Sequence, residues 1–255
     1  MEYGAFSHKG LQRKSNEDYY YIPENEDKPA IMMVADGMGG HNAGERASRL
    51  AVEYVVAYFE KNKDNLKYTE ELIQAIQDSI EQANEHVLDL SRTEERFSGM
   101  GTTLTLVVFD EDRFHVAHIG DSRCYLIRNG IVRQITRDHS LVQELLDHGS
   151  ITKHEMNIHP KRNVITRALG TEDKLRIDCF EEILQSGDII LLCTDGLINY
   201  VDLEKVAADL PQNISMVQLA EMLGKEALAA GGSDDITITA ARYTGMEKRG
   251  ENHAR

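Results

Sequence analysis

The chain has 255 residues, 41% of them hydrophobic and 28% charged, with only four prolines, a composition that supports a folded core and excludes a disordered polymer. Its 43 acidic against 28 basic residues give a formal charge of −15, which repels phosphate backbones and anionic lipid and argues against nucleic-acid binding. Apolar runs such as residues 31–35 and 189–193 fall far short of the roughly 20 residues that span a bilayer, and the opening MEYGAFSHKG has no basic-then-apolar leader, so a cytoplasmic location without membrane insertion is expected.

In chain order, a YYYI strand follows Asn16-Glu17-Asp18, and the apolar strand IMMVADG breaks at Asp36. Two helices come next. Residues 44–61 space Ala47, Leu50, Ala51, Tyr54, Val55 and Tyr58 on one face, and residues 69–90 do so with Leu72, Ile73, Ile76, Ile80, Ala83 and Val87. Residues 102–109 alternate, with Leu104, Leu106 and Val108 to one side, and predict a half-buried strand. FHVAHIGD ends at Asp121. Residues 123–128, then Asn129-Gly130, then 131–135 predict a hairpin, because Asn-Gly accepts the positive φ angles of a two-residue turn. A short helix starts at Ser140, with Gln143 completing a capping-box pair and Gly149 offering a stop. IILLCTDG then breaks at Asp195, a helix covers 216–230, and a strand over 236–243 puts Ile236, Ile238 and Ala240 on one face. The tail 244–255 is polar, aperiodic and expected to fray.

No repeat or linker divides residues 1–243, so one domain is expected. The element order lacks βαβ alternation, and the class is read as α+β, helices covering antiparallel sheets. Cys124, Cys179 and Cys193, odd in number and set in apolar runs, read as small buried hydrophobes rather than nucleophiles. The nine methionines, Met32 and Met33 among them, read as core filler.

The chemistry lies in where the strands stop. Three apolar strands end at Asp36, Asp121 and Asp195, each beside glycine or a short step from it, and the last strand begins after Asp234-Asp235. One Asp-Gly step alone is a turn. In antiparallel sheets, however, a single rim collects the ends of some strands and the starts of others, so these positions can converge, with Glu17 and Asp18 joining them. Carboxylates so gathered repel one another and raise their own pKa values unless a cation lies between them. An all-oxygen donor set favours Mg²⁺ or Mn²⁺ over zinc, and two such ions are a standard device for attacking phosphorus.

Eight motifs share this order: GLQRKSNED (residues 10–18), VADGMGGHNAGE (34–45), GMGTTL (99–104), HIGDSRCYLIRNG (118–130), TRDHS (136–140), NVITRALG (163–170), GDIILLCTDGL (187–197) and GGSDDIT (231–237). Over about residues 1–243 the chain resembles the metal-dependent protein Ser/Thr phosphatases of the PPM (PP2C-type) family, in particular its compact bacterial members. The resemblance implies a four-layer α-β-β-α sandwich of two antiparallel sheets flanked by helix pairs. It also implies two Mn²⁺ or Mg²⁺ ions. Asp36 would bridge them, the Gly37 carbonyl would bind the first, Asp195 and Asp234 would complete the second, and Asp121 with Asp195 would hold a third. Glu17 and Asp18 would act through waters, and Arg13 would grip the phosphate. The reaction implied is hydrolysis of phosphoserine and phosphothreonine on proteins by a metal-activated water, without a phosphoenzyme, in a monomer opposing a cognate Ser/Thr kinase.

Two positions depart from the family pattern. Met38 stands where eukaryotic members carry a histidine acid, and a thioether has no proton to give; His41 is the nearest substitute, a metal-bound water the other. Asp235 replaces the usual asparagine, which either tightens metal binding or disturbs the groups around the ligands. These departures make a phosphoprotein-binding pseudo-phosphatase the alternative reading. A hydrolase of small phosphate esters is a third, although no GxxxxGKT loop points to nucleotide triphosphates. Residues 141–162 fall where the family carries a flap, and Lys161 and Arg162 there are either ordinary surface charges or contacts to phosphoprotein substrates. His115 and His118 share a strand but point to opposite faces, and His139, His148, His154 and His159 lack metal-ligand spacing and read as solvated or loop-packing.

Overall fold

The strands build two open sheets in a computed structural model, which describes residues 1–24, 29–40, 43–66 and 69–245. Strand β1 (Glu2–His8) is followed by β2 (Asp18–Tyr21), β3 (Ala30–Met38) and helices α1 (Ala43–Asn62) and α2 (Thr69–Thr93). Next come β4 (Gly101–Thr102), β5 (Leu104–Asp110), β6 (Arg113–Ile119), β7 (Arg123–Arg128) and β8 (Ile131–Gln134). Helices α3 (Leu141–Asp147) and α4 (Lys153–Ile158) precede β9 (Asp178–Ile183), β10 (Ile189–Cys193), α5 (Asp195–Ile198), α6 (Leu203–Ala208), α7 (Met216–Ala229) and β11 (Ile236–Arg242). One sheet runs β1-β11-β10-β7-β8, the other β2-β3-β5-β6-β9 with β4 on β3, and every pairing is antiparallel.

The expected sandwich is present, with one correction. Strands β5 and β11 are buried on both faces, not half-buried. Leu104, Leu106 and Val108 of β5 join Ile31, Met33 and Ala35 of β3 against α1 and α2. Their alternates Val107, Met32 and Val34 meet Leu126, Leu192 and Ala241 of the opposite sheet. The period-2 pattern thus separates two cores rather than core from solvent. Beyond the second sheet, Ile236, Ile238 and Ala240 pack under Leu219, Leu223 and Ala227 of α7, with Leu197 of α5 and Leu203 of α6 beside them.

Several local expectations need adjusting. Ile73 and Tyr54 leave their stripes, at 39% and 36% exposure, and Tyr54 instead stacks on His86 of α2 with ring centroids 3.9 Å apart. Ser140 accepts from Gln143 N at 3.3 Å, but the Gln143 side chain turns to Asp147, so only half of that capping box forms. Complete boxes open α4 (Thr152 with Glu155) and α7 (Ser215 with Gln218). Cys179 lies exposed on β9, whereas Cys124 and Cys193 are buried. The hairpin turn has φ of 52° at Asn129 and 76° at Gly130, as Asn-Gly predicts. Residues 246–255 of the expected tail lie outside the described residues. Among those described, no helix is long and apolar enough to cross a membrane.

Candidate active site

Strand register brings the acidic steps to one rim. Asp18 opens β2 directly opposite Asp36 near the end of β3, and the start of β5 faces the end of β6, which leads to Asp121. In the other sheet, Cys193 at the end of β10 leads to Asp195, and Asp234-Asp235 precede β11, whose first residue Ile236 pairs with His8 of β1. The loop from His8 to Asp18 therefore crosses from one sheet to the other over this rim, carrying Arg13.

Backbone groups at the rim are tightly tied. The Asp36 N–H donates to Thr103 Oγ1 at 2.9 Å, and the Asp36 carbonyl accepts from Thr103 N and Thr102 Oγ1, each at 2.9 Å. Gly37 N donates to the Glu17 carbonyl at 3.0 Å, which also accepts from Ser48 Oγ of α1 at 2.6 Å. A Cβ on Gly37 would come within 2.0 Å of the Gly44 carbonyl, so only glycine lets α1 start this close to β3. Thr194 Oγ1, at the end of β10, donates to Asp18 Oδ2 at 2.8 Å.

Arg13, Glu17, Asp36, Gly37, Met38, Thr103, Asp121, Asn163, Ile165, Asp195 and Asp234 line a single cavity of about 240 Å³. Asp18 and Asp235 are buried beside it. The carboxylates share this space without closing into a cage: among the described residues no three His, Cys, Asp or Glu side chains converge on one point. Arg13 is ion-paired through Nη2 with Asp234 and lies 3.6 Å from Glu17 through Nη1, so the guanidinium expected to be free for phosphate already answers two carboxylates.

Burial dominates the electrostatics. It holds the Asp36 carboxyl well above the ordinary carboxylate range, reinforced by the charges of Asp18, Asp195, Asp121 and Asp234. Asp18 is raised likewise, by burial first, against the opposing hydrogen bonds of Thr237 and Thr194. Burial and Asp195 push Asp121 up to about 7, and burial with Asp234 pushes Asp195 up to about 6. Glu17 is raised by burial despite Arg13. The buried Oδ1 atoms of Asp18 and Asp195 have no hydrogen-bond partner. Orphaned oxygens in an all-oxygen, acid-rich cavity fit a hard divalent cation.

Of the residues singled out by sequence, His41 lies outside the described residues. Arg162 lines a second, larger cavity of about 650 Å³ between α4 and Tyr200, which shares Asp121, Asp195 and Asn163 with the first; Lys161 is not on its wall. Asp235 is buried, and both its oxygens accept backbone hydrogen bonds, from Gly10 and Glu17. His118 and His115 do face opposite ways, the first bonded to Thr105 and the second beside Asp110 and Glu181. His139 is a loop-packing residue, with Nδ1 accepting from Gly120 N and Nε2 against Asp178. Sequence reasoning missed Thr103, Thr194, Asn163 and Arg123, the last fixed to Asp138 by contacts of 2.6–3.1 Å. All four stand inside or beside the quoted motifs, but their side chains carry no chemistry that spacing alone would flag.

Solved bacterial serine/threonine phosphatases share this two-sheet fold. The fold superposes on the crystal structure of Serine/threonine phosphatase Stp1 from Staphylococcus aureus with a TM-score of 0.89, at 32% identity over 96% of each chain. It superposes on the catalytic domain of the serine/threonine protein phosphatase PstP in complex with two manganese ions with a TM-score of 0.81, at 35% identity, over 94% of this chain and 96% of that one. In sequence it is 38% identical over 240 residues to Serine/threonine phosphatase stp of Listeria innocua, spanning 94% of this chain and 95% of that protein. The Protein phosphatase 2C family model matches residues 8–230, and the chain belongs to that family.

Proposed function

We propose that this protein hydrolyses phosphoserine and phosphothreonine on proteins with Mn²⁺ or Mg²⁺. The observation that carries the reading is the rim cavity lined by Asp36, Asp121, Asp195 and Asp234, with Asp195 Oδ1 buried and unpartnered. Asp36 would bridge two ions, the Gly37 carbonyl would bind the first, Asp195 and Asp234 would complete the second, and Asp121 with Asp195 offers a third position. Bound there, the ions would lower the pKa of the attacking water and offset charge on the phosphoryl oxygens.

The chain's own residues do the rest. Arg13, 43% exposed at its side chain, can turn part of its guanidinium fork from Asp234 to the phosphate oxygens and hold the group in line. Glu17, whose backbone carbonyl accepts from Ser48, and Asp18, whose carboxylate accepts from Thr194, would act through waters on the strand-β2 side of the cavity. Met38 borders the cavity but has no proton for the leaving alcohol, which leaves His41 or a water held by the ions as the donor. The binding-only alternative rested on Met38 and Asp235, and it gains no support: Asp235 is occupied with backbone hydrogen bonds rather than crowding the ligands. The reading extends to a single domain over residues 1–243, and to a monomeric cytoplasmic enzyme opposing a Ser/Thr kinase.

The decisive test is phosphate release from a phosphothreonine peptide. Release with Mn²⁺ that stops in EDTA supports the proposal; metal-independent release, or equal turnover of free phosphoserine, overturns it. Arg13→Ala should lower kcat/KM about 10- to 100-fold, the size of one lost charge-assisted contact. Because Arg162 and not Lys161 faces the larger cavity, Arg162→Ala should weaken a phosphopeptide about threefold or more while sparing p-nitrophenyl phosphate, with Lys161→Ala closer to wild type. Equal losses on both substrates would remove Arg162 from peptide recognition.

A further inference from the structure

We propose that Asp235 is a positioning residue whose carboxylate clamps both ends of the 10–17 loop and so sets where Arg13 meets the phosphate. The inference rests on the functional reading above for the role of Arg13, but the clamp is visible without it. Asp235 is 4% exposed, and its two oxygens are used separately: Oδ1 accepts from Gly10 N at 3.1 Å and Oδ2 from Glu17 N at 2.8 Å. Those two amides stand at the two ends of the rim-crossing loop.

Within the loop, Arg13 N donates to the Gly10 carbonyl at 3.1 Å, and Leu11 N donates to the Gly232 carbonyl at 2.9 Å. A Cβ on Gly10 would stand 2.1 Å from the Asp234 carbonyl, so the loop lies directly on the Asp234–Asp235 backbone and tolerates no side chain there. Arg13 therefore hangs from a turn whose entry, exit and underside are all fixed by residues 232–235. The same segment supplies Asp234, the partner of Arg13.

This geometry explains why an acid can stand where the family pattern has asparagine. A carboxylate offers acceptors in both directions, whereas a side-chain amide has one oxygen and would turn its NH₂ toward the second backbone N–H. Asp235→Asn should keep one tie and break the other. The consequence falls on phosphate binding through Arg13.

The test compares wild type and Asp235→Asn, loaded with Mn²⁺, on a phosphothreonine peptide with inorganic phosphate as competitive inhibitor. The KM and the phosphate Ki should both rise about five- to tenfold, less than for loss of Arg13 itself because the broken tie displaces the guanidinium without removing it, with a smaller fall in kcat. In the cation-free variant, amide exchange at Gly10 or Glu17 should speed up at least about tenfold while amides of β3 hold their wild-type rates. Unchanged KM and Ki, or a shift confined to the Mn²⁺ concentration needed for half-activity, would overturn the proposal in favour of an effect through the ions. Should the variant not fold, the wild type decides: Gly10 and Glu17 amides exchanging as fast as that of exposed Lys14 would also overturn it. An inactive wild type would refute the phosphatase reading alone, since the exchange rates still report on the clamp.

Discussion

Asp36→Asn should cut Mn²⁺-dependent phosphate release by about a thousandfold or more while raising the melting temperature of the cation-free protein. Both effects come from one carboxylate. Asp36 is half-buried at the rim, its pKa raised by desolvation and then by four other carboxylates, and among the described residues no arginine or lysine forms an ion pair with it. Its backbone is already secured by Thr102 and Thr103, so the side chain is not needed to hold β3 in place. An amide of the same shape removes a charge that the fold must otherwise suppress. Relief of about 1–2 kcal/mol would appear as a rise of roughly 2–8 °C in a chain of this size. Calorimetry in EDTA beside the peptide assay checks the pair. An active variant would strip Asp36 of its bridging role, and an inactive but destabilised one would mean that the carboxylate is a structural acceptor.

Such opposition between stability and activity bears on what the sequence could disclose. Strands breaking at Asp36, Asp121 and Asp195 were legible because apolar alternation and an Asp beside glycine are local signals, and antiparallel pairing turns them into a common rim. The hairpin at Asn129-Gly130 and helices α1, α2 and α7 were legible for the same reason. Burial on both faces of β5 and β11 was not, because alternation cannot say whether the second face meets water or another sheet. Arg13's engagement with Asp234 was equally hidden, since 221 positions separate the two along the chain, and only the closure of β1 on β11 brings them together. Helices α4 and α6 were not legible because six residues hold too few turns to show a period, although Thr152 with Glu155 has the same capping-box spacing as Ser140 with Gln143.

Cation binding and pH should be coupled at this rim, and the sign follows from the raised carboxylates. In the cation-free fold Asp195 titrates near 6 and Asp121 near 7, against an ordinary value of 3.8, with Asp36 and Asp18 also raised. The folded state then binds more protons than the unfolded one across this window. The groups' contribution is fully present below about pH 4 and is lost as pH rises through 6 and 7. Without cations the melting temperature should therefore fall between pH 5.5 and pH 8 as far as these groups govern it. A divalent ion reverses the trend, because it replaces protons that are already leaving at pH 8 but must displace them at pH 5.5. At a hundred times its dissociation constant Mn²⁺ should stabilise by about 2.7 kcal/mol, roughly 5–10 °C. At one fixed Mn²⁺ concentration the gain should be larger at pH 8, with proton release at pH 6 seen by titration calorimetry in two buffers of different ionisation enthalpy. An equal gain at both pH values, with no proton release, would show that these carboxylates are already ionised in the cation-free fold.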